Sequence, residues 1–229
     1  GAGIVASDLF VSRSGNNLVV KINDPDNATA TDQIIIENWY SSGQYQIETL
    51  VFSDGSSLSK AQLNTMGNVV YGTNGADTLN GFADNNTLYG YGGNDTITDS
   101  NGSDTIDGGA GDDVITDSGS GTNTLLGGEG NDTITFSSAG SNTIDGGSGN
   151  DVIKADNPYG YTANTLTGGT GNDRIESGGS ADTYLFNRGD GQDVIRDYDY
   201  YSYGKTDQLM FGAGIVASDL FVSRSGNNL

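Results

Sequence analysis

The chain contains no cysteine and no histidine. That excludes thiol nucleophiles, disulfides, haem ligation by histidine and the usual zinc sites. It also excludes every catalytic triad that needs an imidazole base. Any stability outside a cell must come from something other than disulfides. Basic residues are scarce: 9 Lys+Arg face 30 Asp+Glu, a net charge of −21. Such a surface repels nucleic acid and anionic membranes and attracts cations. Apolar residues make up only 34% of the chain, and low hydrophobicity with high net charge is the signature of disorder when counter-ions are lacking. No apolar run reaches the roughly 18 residues of a membrane span, and no signal peptide is recognisable. No G-x-S-x-G, P-loop or H-E-x-x-H motif occurs, so no catalytic residues are expected. A chain that opens on Gly1 without a leader reads as a piece of a longer protein.

Glycine, by contrast, is abundant at 37 of 229 residues. With so few apolar residues, this favours a narrow core repeated along an axis over a broad layered one. Between Tyr71 and Ile175 a nine-residue phrase recurs. Three copies read Gly127-Gly128-Glu129-Gly130-Asn131-Asp132-Thr133-Ile134-Thr135, Gly146-Gly147-Ser148-Gly149-Asn150-Asp151-Val152-Ile153-Lys154 and Gly168-Gly169-Thr170-Gly171-Asn172-Asp173-Arg174-Ile175-Glu176. The pattern is G-G-x-G-x-D-x-U-x, with U a large apolar residue. The U positions are Leu79, Leu88, Ile97, Ile106, Ile115, Leu125, Ile134, Ile144, Ile153, Leu166 and Ile175. Tyr184, Ile195 and Leu209 continue the series at looser spacing, as an atypical capping turn would.

Each x-U-x is expected to be a very short strand with U pointing inward. Each G-G-x-G-x-D is expected to be a tight turn that needs glycine where φ is positive or backbones approach closely. Two phrases make one coil, so alternate phrases stack on the same edge about 4.8 Å apart. The sixth position then forms two unlike ladders. One edge carries Asp77, Asp95, Asp113, Asp132, Asp151, Asp173 and Asp193; the other carries Asn86, Asp104, Asn123, Asn142, Asn164 and Asp182. Two carboxylates about 5 Å apart repel by about 3 kcal/mol at an effective dielectric near 20. A divalent cation between each pair inverts that sign, and calcium suits hard carboxylate and carbonyl oxygens in flexible coordination. Neutral asparagines can stack without an ion. The expectation is a one-sided row of several calcium ions on the Asp77–Asp193 edge, and few or none on the asparagine edge.

The phrase resembles the repeats-in-toxin (RTX), haemolysin-type calcium-binding family. That resemblance implies an all-β fold, a right-handed parallel β-roll. It also implies that backbone carbonyls of the glycine turns join the aspartates as calcium ligands. Those turns contribute Gly90 and Gly92; Gly108, Gly109, Ala110 and Gly111; Gly127, Gly128, Glu129 and Gly130; Gly146, Gly147, Ser148 and Gly149; and Gly168, Gly169 and Gly171. Turn 72–77 lacks the second glycine, which sets its outermost site apart.

Residues 1–70 lack the phrase. Leu9–Arg13 and Leu18–Ile22 flank Ser14-Gly15-Asn16-Asn17, which predicts a β-hairpin. Asp24-Pro25-Asp26-Asn27 reads as a loop, and Gln33–Tyr40 and Tyr45–Phe52 as strands. Ser59 is placed to cap a helix from Lys60 to Met66 that Gly67 ends. This β-rich flanking segment resembles the haemolysin-type calcium-binding related segment found beside RTX arrays. Residues 1–18 and 212–229 are identical, an offset of 211. The simplest account is a tandem repeat: a flanking segment at 1–70, a roll with capping turns at 71–211, and the start of the next unit at 212–229.

Trp39 is expected in a core. Tyr198, Tyr200, Tyr201 and Tyr203 are expected to pack over the last coil rather than to stack on a sugar. The resemblance and the duplication together imply a calcium-binding structural module of a secreted or cell-surface bacterial protein, adhesin- or fibre-like and exported by type I secretion. Its partners would be calcium and neighbouring repeats of the same chain, with self-association or surface ligands open. The alternatives are the C-terminal module of a secreted enzyme, such as a lipase, protease or epimerase, or part of an RTX toxin.

Overall fold

The computed structural model describes residues 3–23, 32–137, 139–156, 162–179, 181–198 and 206–224. The chain divides into two compact units, Gly1–Val70 and Tyr71–Leu229. Residues from Gly212 onward group with the second.

In the first unit, β1 (Leu9–Ser14) and β2 (Asn17–Ile22) form the expected hairpin, and β3 (Gln33–Ile36) pairs with β2 as a third antiparallel strand. Gly15 takes a φ of +58° in the two-residue turn, as the first position of such a turn demands. Two strands are shorter than the sequence predicts. The first stops at Ile36 because Asn38 takes a φ of +57° and turns the chain. Trp39 thereby enters the core, fully buried with Val11, Leu18, Val20, Phe52, Leu58 and Leu63, and its indole N–H donates to Asn64 Oδ1. The second survives only as β4 (Thr49–Val51), paired with β5 (Ser57–Ser59), after a 3-10 turn at Gly43–Tyr45. The helix α1 (Lys60–Gly67) opens with a reciprocal capping box between Ser59 and Gln62. Gly67 is its last residue, one beyond the expected Met66, with Asn68 as the C-cap; Gly67 also lets the helix approach Tyr40 and Leu18, where a Cβ would lie 2.0 Å from the Tyr40 hydroxyl. The predicted loop at 24–27 lies outside the described residues, as do Tyr200, Tyr201 and Tyr203.

The remaining strands run in chain order. β6 (Val69–Tyr71), β7 (Thr78–Asn80), β8 (Thr87–Tyr89) and β9 (Thr96–Asp99) come first. β10 (Thr105–Ala110), β11 (Val114–Asp117), β12 (Thr124–Glu129) and β13 (Thr133–Phe136) follow, then β14 (Thr143–Ser148), β15 (Val152–Ala155), β16 (Thr165–Thr170) and β17 (Arg174–Ser177). β18 (Thr183–Phe186), β19 (Val194–Asp197) and β20 (Gln208–Phe211) complete the set. Even-numbered strands form one sheet of eight and odd-numbered strands β7 to β19 a sheet of seven. The chain crosses from one sheet to the other at every turn, so it is a parallel β-solenoid.

Register confirms why the phrase needs one large apolar residue per strand. Ile106, Leu125, Ile144, Leu166 and Tyr184 stack in one column; Leu79, Ile97, Ile115, Ile134, Ile153 and Ile175 stack in the other. All eleven are buried. Each such side chain contributes about 1.5–3 kcal/mol when fully buried, and stacking coils is the only way these thin strands can bury it. On the last coil Ile195 and Leu209 are 38% and 51% exposed, because no further described coil covers them.

Candidate metal centre

Seven turns lead from the even-numbered sheet to the odd-numbered one, and each ends on an aspartate. Asp Oδ1 of each coil accepts the backbone N–H of the aspartate one coil earlier. The distances are 2.7 Å for Asp77 N to Asp95, 2.7 Å for Asp95 N to Asp113 and 2.8 Å for Asp113 N to Asp132. They continue at 2.8 Å for Asp132 N to Asp151, 2.8 Å for Asp151 N to Asp173 and 3.0 Å for Asp173 N to Asp193. The second oxygen has no such partner. Oδ2 of Asp95, Asp113, Asp132, Asp151 and Asp173 is buried and accepts no hydrogen bond.

The first glycine of each turn shows what surrounds that oxygen. A Cβ on Gly108 would lie 2.5 Å from Asp113 Oδ2 and 2.6 Å from the carbonyl oxygen of Gly127. On Gly127 it would meet Asp132 Oδ2 at 2.4 Å and the Gly146 carbonyl at 2.3 Å. Gly90 and Gly146 repeat the pairing with the Gly108 and Gly168 carbonyls, and Gly168 lies against Asp173 Oδ2. Glycine is therefore required here for space, and the space is lined by a carboxylate oxygen and a carbonyl of the next coil. The third-position carbonyls of Ala110, Glu129 and Ser148 each accept an amide of the preceding coil, from Gly93, Gly111 and Gly130 at 2.7–2.8 Å. One lone pair of each is thus already engaged. The fourth glycines have a different reason: Gly130 takes a φ of +125°, and a Cβ there would lie 2.0 Å from the Gly111 carbonyl.

A buried carboxylate without a counter-charge resists ionisation. Burial is the main cause that pushes Asp113 up to about 6, with Asp132 and Asp95 adding to it. Burial likewise pushes Asp151 up to about 7, with Asp132 and Asp173 adding. Asp95, Asp132, Asp173 and Asp193 are raised as well, each chiefly by burial. Among the described residues no three acidic side chains are gathered about a single point. These oxygens instead form a row with one carboxylate per coil, and hard oxygen donors in a row fit calcium.

The ends of the row differ from its middle. Thr73, in place of the second glycine, donates its N–H and hydroxyl to Asp77 Oδ2 at 2.6 and 2.8 Å. Asp77 is thereby satisfied by protein donors. Asp193 is half-buried and closes the Oδ1 ladder. Tyr91 stands where the second glycine of turn 90–95 is expected. It takes a φ of +72°, with its ring stacked on Tyr71 and Tyr89 at 6.3 and 6.0 Å. Sequence reasoning also missed a second ladder at the fifth position. There Asn94, Asp112, Asn131, Asn150 and Asn172 accept the backbone N–H of the following coil at 2.7–3.2 Å. It runs opposite to the aspartate ladder, and the Asn that precedes four of the seven aspartates was its only signal.

On the other edge the sixth position makes the same Oδ1 ladder: Asn86 N to Asp104, Asp104 N to Asn123, Asn123 N to Asn142, Asn142 N to Asn164 and Asn164 N to Asp182. At the asparagines the second atom is an amide nitrogen, and it has work; at Asp104 it is an oxygen, buried without a hydrogen-bond partner. Asn142 Nδ2 donates to the carbonyls of Ser137 and Gly140 at 2.8 and 3.0 Å. Asn86 Nδ2 donates to the Phe82 and Asp84 carbonyls, and Asn164 Nδ2 to Thr162. The amide supplies positive hydrogens to turn carbonyls and needs no ion. Asp182 keeps a carboxylate on this edge because Ser177 Oγ donates to its Oδ2 at 2.7 Å.

A parallel β-solenoid with one buried carboxylate per coil along a glycine-turn edge defines a calcium-binding repeat module. The RTX calcium-binding nonapeptide repeat matches residues 64–97, 89–116, 117–135, 136–157 and 159–195. The haemolysin-type calcium binding protein related domain matches residues 17–62. The chain belongs to the RTX calcium-binding nonapeptide repeat family. No curated protein and no solved structure matches it.

Proposed function

We propose that the chain is a calcium-dependent structural module, with ions held in a row along the aspartate edge. The observation that carries this reading is the set of five orphaned, buried Oδ2 atoms in register. Asp95, Asp113, Asp132, Asp151 and Asp173 would hold the ions, with the first-glycine carbonyls of Gly108, Gly127, Gly146 and Gly168 as neighbouring donors. Bound calcium supplies the positive charge that offsets carboxylate repulsion along the row. Folding gathers these oxygens, so an ion that binds only the folded form adds its binding free energy to stability.

In this reading the chain is no enzyme. It is a spacer in a secreted or cell-surface bacterial protein, exported unfolded where calcium is scarce and folded outside. The identity of residues 1–18 and 212–229 supports an adhesin- or fibre-like tandem array. Among the described residues no helix is long and apolar enough to cross a membrane. Circular dichroism during calcium titration tests the switch. The expected result is gain of β-structure with calcium; a fully β-structured chain in excess chelator would sink the proposal.

A further inference from the structure

The roll ends on an open coil, and the segment that follows it is a copy of the chain's own beginning. On that coil Ile195, Leu209 and Phe211 are 38%, 51% and 38% exposed. The strands that carry them, β19 and β20, are the last described strands of their sheets. A solenoid end of this kind calls for a cap, because each coil buries its apolar side only against the next. Val216–Leu220 repeats Val5–Leu9 in sequence and in fold. Each forms a 3-10 turn, Ala217–Asp219 or Ala6–Asp8, between extended residues. In each the valine N–H is given to the aspartate Oδ2, at 3.2 Å for Val216 and 2.9 Å for Val5.

The later copy is fixed to the roll. Gly212 donates its N–H to the Phe186 carbonyl at 2.9 Å. Arg188 donates to the Gly214 carbonyl at 2.7 Å and to Asp219 Oδ2 at 3.1 Å. Ile215 and Leu220 line a cleft of about 370 Å³ together with Phe186 and Phe211, two rings that meet edge to face at 6.2 Å. In the earlier copy the same two residues belong to the flanking domain. There Ile4 and Leu9 line a cleft of about 440 Å³ with Ile34, Leu50, Val51 and Phe52. Leu9 also packs against the Trp39 core, whereas Ile34 and Val51 are 50% and 72% exposed. The next residues differ in the same sense. Val11 is 4% exposed in β1, but its copy Val222 is 73% exposed and Phe221 is 92% exposed.

One segment thus lines an exposed cleft in each of two settings, a roll end and a flanking domain. On the tandem reading of the identical ends, we infer that the end of the roll is a docking surface for the flanking domain of a following unit, a second copy of residues 1–70, with Arg188 as the latch on its opening segment. Such a copy supplies apolar partners for the same two side chains, Ile215 and Leu220, that line the roll-end cleft. It thereby caps the open coil and joins successive units in a fixed orientation. The competing arrangement is a flexible tether between independent domains, with the roll end bare. A tether needs no anchor, yet one of only 9 basic residues in a chain with 30 acidic ones is spent here. An exposed ion pair holds little by itself. Arg188 therefore sets the position of the segment, and the apolar contact holds the joint.

Extending the full chain past Leu229 by a second copy of residues 19–70 tests the joint, since the product holds two flanking domains and a single roll. Hydrogen exchange of the β19 and β20 amides is compared between this chain and the 229-residue chain, both saturated with calcium. The added domain is expected to slow that exchange by at least about tenfold, because it suppresses local opening of the last coil. Val51→Asp in the added copy alone should restore the faster rate; that position is exposed enough to leave the domain folded. Arg188→Ala should speed exchange at Val216–Leu220 in both chains. Equal β19 and β20 rates in the two chains overturn the docking surface, and slowing that survives Val51→Asp overturns the cleft as its contact. Circular dichroism of both chains against calcium reports separately on the folding module. A calcium-dependent chain with an unprotected end keeps that module and removes the joint; a protected end on a chain that needs no calcium does the reverse.

Discussion

Each first glycine of a turn on the aspartate edge is defined by what a single carbon atom would displace. At Gly127 the obstacles are Asp132 Oδ2 and the Gly146 carbonyl, both within 2.4 Å of a Cβ. The φ there is unexceptional, so alanine is excluded by the oxygens and not by backbone strain. Gly127→Ala should destabilise the calcium-saturated chain by about 1–3 kcal/mol, the usual cost of overpacking. It should also raise the calcium needed for folding, because it pushes apart the two oxygens proposed to share an ion. Thermal melts at fixed calcium check this; an unchanged midpoint and calcium requirement would count against the oxygen pair as a cradle. Tyr91 shows the opposite case, a side chain tolerated at φ +72° where its ring has Tyr71 and Tyr89 to stack on.

Elements in this fold matter less than ladders, which run across them. The two sixth-position ladders share one hydrogen-bond pattern and differ chiefly in the second side-chain atom: an orphaned oxygen at five aspartates of one edge, a satisfied amide at Asn86, Asn142 and Asn164 of the other. Asp132→Ala and Asn142→Ala should therefore separate two kinds of loss. The first is expected to lower calcium stoichiometry. The second is expected to leave stoichiometry intact while costing about 1–3 kcal/mol, since it abandons the Asn123 N–H and the Ser137 carbonyl as buried unpaired groups. Equal effects on calcium stoichiometry would remove the distinction between the edges.

Over the whole molecule, a net charge of −21 and a row of buried carboxylates tie stability to both pH and calcium. Asp113 and Asp151 rise from 3.8 to about 6 and about 7 in the calcium-free folded chain. Their protonated forms favour folding. That contribution is fully present below about pH 3.8 and is lost as pH rises through 6 to 7. Exposed Asp54 and Asp112 shift the other way, lowered by the hydrogen bonds they accept from Ser56 and Asn131. In chelator the chain should thus hold more β-structure at pH 5 than at pH 8. With calcium the order should reverse, because ions and protons compete for the same oxygens, and the calcium midpoint should fall as pH rises. Circular dichroism against calcium at the two pH values reads both effects; a pH-independent midpoint would contradict them.

The sequence by itself determined the repeat, the two columns of U residues, the alternation of edges and the place of each aspartate, because a solenoid's contacts are periodic in the chain. Where periodicity ended, so did legibility. The strands predicted at 33–40 and 45–52 were cut short by Asn38 and by the 3-10 turn, which local β-propensity does not register. Gly67 reads as a helix stop and is the last helical residue, but its close approach to Tyr40 and Leu18, which leaves no room for a Cβ, is not legible in the chain. Only the tertiary structure decided which oxygens lack partners. It gave Asp77 to Thr73 and Asp182 to Ser177, and it left the second oxygens of Asp99, Asp104 and Asp117 buried without hydrogen-bond partners on the edge rich in asparagine. Hydrogen-bond satisfaction depends on which donors lie within about 3 Å: the adjacent coil supplies them for each Oδ1 of the ladder, and the same turn supplies them for the second oxygens of Asp77 and Asp182.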